Sequence, residues 1–282
     1  MIQLMIVQHT SLAALALFFI SILVVASSTR AAHSLKNCLQ FCGTGKSAKR
    51  VPYPFGFGGD CPIRLNCTHG GDIQIGGFQV QNITANGVLI NLEAECNRPV
   101  EQMKSLFSKH YALAWQNSLL LRNCSKPLDG CFISRSSLKA QLNLSSCGSG
   151  SDNLTCYSRE DLGIDVLSYE NVSKTQCKFV YSSLAIGPVS PVVSLQLQRA
   201  ELEWWLDGDC NSSKGCDKNA ECKQVRLGDG KVGFRCSCND SFVGDGFAAG
   251  EGCRRGKSTR RSLPLLGFII LFRFFFFCFF QL

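Results

Sequence analysis

The stretch CNSSKGCDKNAECKQVRLGDGKVGFRCSCNDSFVGDGFAAGEGC, residues 210–253, decides how the rest of the chain is read. Its six cysteines, Cys210, Cys216, Cys222, Cys236, Cys238 and Cys253, follow the spacing C-x5-C-x5-C-x13-C-x-C-x14-C. Reducing compartments keep such a set as free thiols, so dense cysteine spacing belongs to an oxidising, extracytoplasmic setting. Cys236 and Cys238 lie two apart. On a strand they project to one face with Cβ atoms too distant for easy bridging, so their sulfurs bond to different partners. A zinc site is the rival use of clustered cysteines, but no histidine lies between Glu201 and Cys253 to share the ligation.

Working outward, the whole chain of 282 residues holds 17 cysteines. Cys38, Cys42, Cys61, Cys67, Cys96, Cys124, Cys131, Cys147, Cys156 and Cys177 precede the quoted stretch, and Cys278 follows it inside an apolar tail. Setting Cys278 aside leaves an even number for disulfides, with the connectivity of the ten upstream cysteines open. The N-terminus agrees on the compartment. Leu12 to Val25 is an apolar run broken only by Ser21 and ending in Ala26, Ser27 and Ser28, which reads as a signal peptide over 1–28. Acceptor sequons for N-linked glycans stand at Asn66, Asn82, Asn123, Asn143, Asn153, Asn171, Asn211 and Asn239. Cys67 and Cys124 occupy the middle positions at Asn66 and Asn123, where an early disulfide competes with glycosylation.

The C-terminal segment 263–282 is apolar and long enough for a membrane-crossing helix, at about 1.5 Å rise per residue. Arg273 in its middle is costly there, by about 2.5–3.5 kcal/mol. Arg254, Arg255, Lys257, Arg260 and Arg261 precede it on the luminal side, against the positive-inside tendency. Three readings stay open: a membrane anchor, a removed lipid-anchor signal, and a truncated end.

Between these ends charge is uneven. Residues 33–130 carry ten Lys/Arg against six Asp/Glu, and residues 201–253 carry six against ten. The hydrophobic pattern is mainly of period two. Val88, Ile90, Leu92, Ala94 and Cys96 alternate with polar or outward positions, which predicts a half-buried strand. Phe78 and Val80 begin a second strand, and Asn86-Gly87 between them suits a positive-φ hairpin turn. A glycan cannot point into a core, so this strand is expected to end or bulge at Asn82. Val193, Leu195 and Leu197 alternate in one parity and Ala200, Leu202, Trp204 and Leu206 in the other, which predicts a bulge near Arg199. Met103 to Trp115 is the best helical candidate. The fold class expected is mostly β and disulfide-rich: small β-rich domains, a cysteine-stapled module, and a C-terminal hydrophobic helix.

Catalytic patterns are missing from these residues. His33, His69 and His110 are the only histidines outside the signal, no serine or cysteine lies in a nucleophile elbow, and adjacent Glu160 and Asp161 face opposite ways on a strand. Phosphate-binding Gly-rich loops, His-Arg-Asp and Asp-Phe-Gly do not occur. The chain is expected not to be an enzyme.

The spacing of the quoted stretch resembles an epidermal-growth-factor (EGF)-like module. The resemblance implies the pairs Cys210–Cys222, Cys216–Cys236 and Cys238–Cys253, each worth about 2–4 kcal/mol through loop closure. Calcium-binding versions of such modules make Asp207, Asp209 and Asp229 candidate oxygen ligands. Upstream, Cys38-x3-Cys42-Gly43, then Val51-Pro52-Tyr53-Pro54-Phe55-Gly56-Phe57, Cys61 and Cys67 resemble the galacturonan-binding extracellular domain of plant wall-associated receptor kinases. Asn97-Arg98, Asn123-Cys124, Glu201-Leu202-Glu203-Trp204-Trp205, Gly233-Phe234-Arg235-Cys236, Gly244-Asp245-Gly246-Phe247 and Gly252-Cys253-Arg254 extend the likeness to the receptor-kinase-like subgroup.

That resemblance implies a galacturonan-binding-like domain over 33–131, a β-rich associated region over 132–206 and the EGF-like module over 207–254. It implies a cell-surface receptor-like protein that binds pectin, with its ectodomain facing the cell wall and its tail in the membrane. Lys46, Lys49, Arg50 and Arg64 can supply charge-assisted bonds to galacturonate carboxylates, and Tyr53, Phe55 and Phe57 can offer ring faces to sugars, unless these aromatics serve as core. Because no kinase motif is present, signalling would need a co-receptor kinase. The alternative is a protein-binding module or decoy that recognises a peptide or co-receptor through its EGF-like end; an extracellular hydrolase ranks third. Nucleic acid is not an expected partner, and no cofactor beyond the calcium candidates is expected.

Overall fold

The structure is a computed structural model; it describes residues 38–125, 147, 154–158, 163–187, 194–211 and 214–256. The signal segment, the apolar tail with Lys257, Arg260 and Arg261, Cys131, Asn143, Asn153, Glu160 and Asp161 lie outside the described residues. Among the described residues no helix is long and apolar enough to cross a membrane.

Two antiparallel sheets carry the upstream part. The six-stranded sheet runs Asn66–Cys67, Ile73–Ile75, Phe78–Ile83, Val88–Asn91, Arg199–Trp204, Tyr111–Leu113. The four-stranded sheet runs Leu154–Tyr157, Ser118–Cys124, Cys177–Gly187, Ser194–Leu197. The strand predicted from Val88 forms over Val88–Asn91, with Val88 and Ile90 fully buried and Leu89 and Asn91 half-buried. Leu92 remains buried, but residues 93–96 leave the sheet. The neighbouring strand Phe78–Ile83 has its register irregularity between Val80 and Asn82, and Asn82 is exposed. The extra residue re-aims the sequon away from the core, as period two required.

Three expectations are corrected. The hairpin over 84–87 does not use positive φ at Asn86 or Gly87. Instead the Thr84 hydroxyl accepts from the Asn86 and Gly87 backbone N–H groups, at 3.1 and 3.0 Å, a side-chain turn that Thr supplies without backbone strain. The parity change near Arg199 is not a bulge within one sheet. Gln198 sits at φ 58°, and there the chain leaves the four-stranded sheet and enters the six-stranded one. A one-residue left-handed step reverses which face is inward, the same pattern a bulge leaves in sequence. The proposed helix from Met103 is a 3-10 helix over Val100–Leu106 followed by a strand, Tyr111–Leu113. Ala112 and Leu113 are both buried, so that strand is covered on both faces and loses the alternation that would have revealed it.

Buried polar groups stitch the sheets together. Ser182 Oγ donates to the Leu92 carbonyl at 2.7 Å and Ser183 Oγ to the Arg199 carbonyl at 2.6 Å. Asn117, fully buried, donates to the Ala114 and Glu201 carbonyls and accepts from the Glu201 N–H. Each of these groups would cost more unpaired than it contributes when paired.

Beyond Trp204 the chain forms a three-stranded sheet, Leu206–Asp207, Lys231–Cys238, Ala220–Gly228, and a small pair, Phe242–Gly244 with Cys253–Arg255. Cys210 bonds Cys222, Cys216 bonds Cys236, and Cys238 bonds Cys253, the pairs that the EGF-like resemblance implies. Upstream, Cys38–Cys61, Cys42–Cys67, Cys96–Cys147 and Cys124–Cys177 close, and Cys156 is disulfide-bonded as well. The core does not stop at the segment boundaries read from sequence. One cluster joins Val51 and Phe55 to Val88, Leu113, Val180, Trp204, Phe234 and Phe247.

Candidate ligand-binding face

The cysteine-stapled N-terminal segment carries the candidate pectin residues. Phe41–Cys42 pairs with Lys49–Arg50, in register Phe41 to Arg50 and Cys42 to Lys49. Consecutive strand residues point to opposite faces, so Lys49 and Arg50 are not brought together. Lys49 turns to Asp72, Nζ to Oδ1 3.3 Å. Arg50 pairs with Glu251 of the EGF-like module and lies over the Phe41 ring at 5.7 Å. Lys46, in the short 3-10 turn Gly45–Ser47, and Arg64, in the strand Ile63–Arg64, are exposed. Neither has an ion-pair partner among the described residues. Of the four candidate cations these two have their charge available.

The aromatic candidates divide. Phe55 is fully buried and meets Trp204 edge-on at 5.3 Å, so its ring is a core group and not a sugar platform. Phe57 is half-buried against the same core. Tyr53 is half-buried and packs edge-on against Phe247 at 5.3 Å. Burial, with the Asp245 carboxylate behind it, pushes the Tyr53 hydroxyl above its ordinary pKa. Gly56 is needed for space, since its φ is not positive. A Cβ there would collide with both sulfurs of the Cys38–Cys61 disulfide.

The calcium candidates are dispersed in role. Asp207 pairs with Lys109 at 2.5 Å, and that hydrogen bond holds its carboxyl below the usual range. Asp209 accepts from the Asn211 N–H at 2.7 Å. Asp229 occupies a left-handed hairpin position, φ 52°. No group of three or more His, Cys, Asp or Glu side chains suited to a metal ion occurs among the described residues. The sequons at Asn82, Asn123, Asn211 and Asn239 are exposed and Asn171 is half-buried. Asn66 is exposed beside the Cys42–Cys67 bond.

The motifs that carried the resemblance turn out to interlock. In Glu201-Leu202-Glu203-Trp204-Trp205, Leu202 and Trp204 face the core while Glu203 pairs with Arg235, Oε2 to Nη1 2.5 Å, with both side chains buried. Arg235 also donates to the Asn86 carbonyl at 2.6 Å and lies 5.9 Å from the Trp204 ring. In Gly233-Phe234-Arg235-Cys236, Gly233 lies under the Trp205 ring, where a Cβ would collide. In Gly244-Asp245-Gly246-Phe247, the Asp245 carboxylate accepts from the N–H groups of Phe247, Glu251 and Gly252, at 3.0, 2.7 and 3.1 Å. Arg98 of Asn97-Arg98 is buried, donates to the Glu93 and Tyr181 carbonyls and pairs with Glu95 at 3.1 Å. These pairings were not derivable from spacing; the repeated appearance of charge inside otherwise apolar motifs was the available signal.

Charge burial predicts a pH dependence of stability. Burial raises the Glu203 carboxyl pKa, with Arg235 opposing, and burial followed by Glu203 raises that of Glu201. The folded state holds these protons more tightly than the unfolded chain. Their contribution is therefore fully present below the unfolded carboxylate pKa, about 4.3, and is lost as pH rises through the raised folded values. Asp165 works in the opposite direction. Burial lifts it, but hydrogen bonds from Arg226 more than offset this, so its contribution is lost as pH falls below the carboxylate range. Glu201→Gln should raise the thermal midpoint at neutral pH and leave it near that of the parent at about pH 4.5, flattening the profile between. Melting curves across that range check it.

No family model matches the chain, and no solved structure matches it. Curated proteins do. The chain is 34% identical over 223 residues to wall-associated receptor kinase-like 14 of Arabidopsis thaliana, covering 77% of this chain and 31% of the relative. It is 32% identical over 255 residues to wall-associated receptor kinase-like 21 of the same plant, covering 88% of this chain and 38% of the relative. The chain thus spans about a third of the length of these curated relatives. Likeness to both over most of its own length, on a β-rich, disulfide-stapled architecture, has one reading: the chain carries a wall-associated receptor kinase-like ectodomain.

Proposed function

We propose that this chain is a non-enzymatic, cell-surface receptor-like protein whose ectodomain faces the cell wall and binds pectic polysaccharide. The observation that carries the reading is the pair of exposed, unengaged cations, Lys46 and Arg64, on a rigid disulfide-stapled segment of a protein whose relatives are named as wall-associated. Polygalacturonate presents a carboxylate on each sugar, and exposed cations meet it through charge-assisted bonds. Lys49 and Arg50 contribute less, because Asp72 and Glu251 already neutralise them. The 282 residues hold no kinase motif, so the kinase that answers the bound signal lies outside them. A membrane location through the apolar segment 263–282 completes the proposal.

The test is retention of the purified chain on immobilised polygalacturonate across a salt gradient. Retention should weaken steeply as the screening length shrinks to about 10 Å near 0.1 M salt and below that beyond it. Lys46→Ala and Arg64→Ala should each weaken it by about two- to fivefold, the scale of an exposed charge contact. Lys49→Ala should matter less. Absence of retention at low salt would overturn the pectin reading.

A further inference from the structure

A cleft beside the six-stranded sheet has a chemistry unlike that of the basic face. It measures about 680 Å³, within the range of small-ligand sites. A row of amides crosses three adjacent strands of the six-stranded sheet beside it. Gln74 is the register partner of Gln79, and the Asn91 amide donates to Gln79 Oε1 at 3.0 Å. Neighbouring strands lie about 4.8 Å apart, so the three side chains stand in sequence along one line. Each amide offers both donors and acceptors. Glu101 and Gln102 on the 3-10 helix, and Glu93, also line the cleft. Gln74, Glu101 and Gln102 have no side-chain hydrogen bond to any described residue. Phe78, half-buried and with the Arg98 guanidinium 5.9 Å from its ring centroid, supplies the apolar wall.

The charge balance excludes a polyanion here. Glu93, Glu95 and Glu101 line the cleft against one cation, Arg98, and Arg98 is already committed to Glu95 and to the carbonyls of Glu93 and Tyr181. The rim is preformed: Ser105 Oγ donates to the Gly76 carbonyl at 2.7 Å, and Gly76 and Gly77 both adopt positive φ in a tight turn. The paired Gln79 and Asn91 amides, the unengaged amides and carboxylates beside them and an aromatic wall match vicinal hydroxyls, which donate and accept together, and an uncharged ring with apolar C–H faces.

We infer that this cleft is a second saccharide site, for a neutral, hydroxyl-rich oligosaccharide, separate from the face proposed for pectin. It does not depend on Lys46 or Arg64, so the two readings fail independently.

The experiment is isothermal titration and ligand-observed NMR on the full glycosylated chain in detergent. The probes are neutral galacto-, arabino-, xylo-, xylogluco- and cello-oligosaccharides, at low and high salt. At least one probe should bind, with affinity constant within about twofold across the salt range, because no net charge is exchanged. Gln79→Ala and Asn91→Ala should each weaken it about tenfold, through loss of direct contacts and of the ordered row. Gln74→Ala, at an unpartnered side chain, gives a variant whose folding is not at issue and should also weaken binding. Lys46→Ala should leave it unchanged. Binding by none of the probes, or binding indifferent to the three amide variants, would each overturn the inference.

Discussion

Phe247→Ala will lower the stability of the whole described region by about 3–5 kcal/mol, in one transition, and will not unfold the EGF-like module by itself. Phe247 belongs to the module by sequence, yet it is almost fully buried against residues from three separate stretches. Its ring meets Tyr53 at 5.3 Å, Trp204 at 6.1 Å and Phe234 at 6.3 Å. Trp204 in turn meets Phe55, and its indole N–H donates to the Thr84 carbonyl at 3.1 Å. Removing the central ring leaves a cavity that the neighbouring disulfide Cys216–Cys236 helps to keep from collapsing, which puts the cost at the upper end for such substitutions. All three tryptophans lie outside the six-cysteine stretch, and Trp204 and Trp205 pack against it, so their fluorescence reports the shared core. With disulfides intact, guanidinium unfolding followed by tryptophan emission should shift as a single step. Hydrogen exchange at Phe55 and Leu65, whose N–H groups bond the Pro52 and Gly56 carbonyls, should accelerate together with exchange inside the module. An unchanged tryptophan transition beside a destabilised module would show independent domains and sink the prediction.

This continuity explains how much of the fold could be read in advance. Cysteine spacing exposed the module, because disulfide geometry acts over short sequence separations: 12, 20 and 15 residues in the three module bonds. Period two exposed Val88–Asn91, since one face is buried and the other is not, and the sequon at Asn82 located a bulge by elimination. What stayed hidden depends on contacts between distant residues. Tyr111–Leu113 sits at the sheet edge beside Arg199–Trp204, nearly ninety positions later in the chain, and its burial on both faces erased any alternation. The amide row of Gln74, Gln79 and Asn91 comes from three strands, and nothing in their local sequence marks them as neighbours. The candidate pectin face was half legible. The four cations could be named from sequence, but only the structure shows that Asp72 and Glu251 claim two of them.

The second large effect concerns Glu203 and Arg235, separated by 32 residues in sequence and joined in the interior at 2.5 Å. Arg235→Met alone should cost about 3–5 kcal/mol, because Glu203 is left in a buried site with no counter-charge. Glu203→Leu alone should cost about as much, leaving the guanidinium with the Asn86 carbonyl, the Trp204 ring and the more distant Glu201 and Asp165 carboxylates. The double variant should lose far less than the sum, and should lie within about 2 kcal/mol of the parent, since two apolar side chains of similar volume remove the desolvation cost of both charges. Arg235 Nε is buried without a hydrogen-bond partner, so the parent pair is already incompletely satisfied and has little net stability to surrender. The singles should also differ in their response to acid. Glu203 already has a raised pKa from burial, and without Arg235 it will take up a proton more readily, so Arg235→Met should recover stability as pH falls while Glu203→Leu should not. Guanidinium midpoints for the four proteins at neutral and mildly acidic pH decide it. Strictly additive losses at both pH values would mean that the pair is not energetically coupled, and that the family motif is kept together at this point by packing of Trp204 and Phe234 alone.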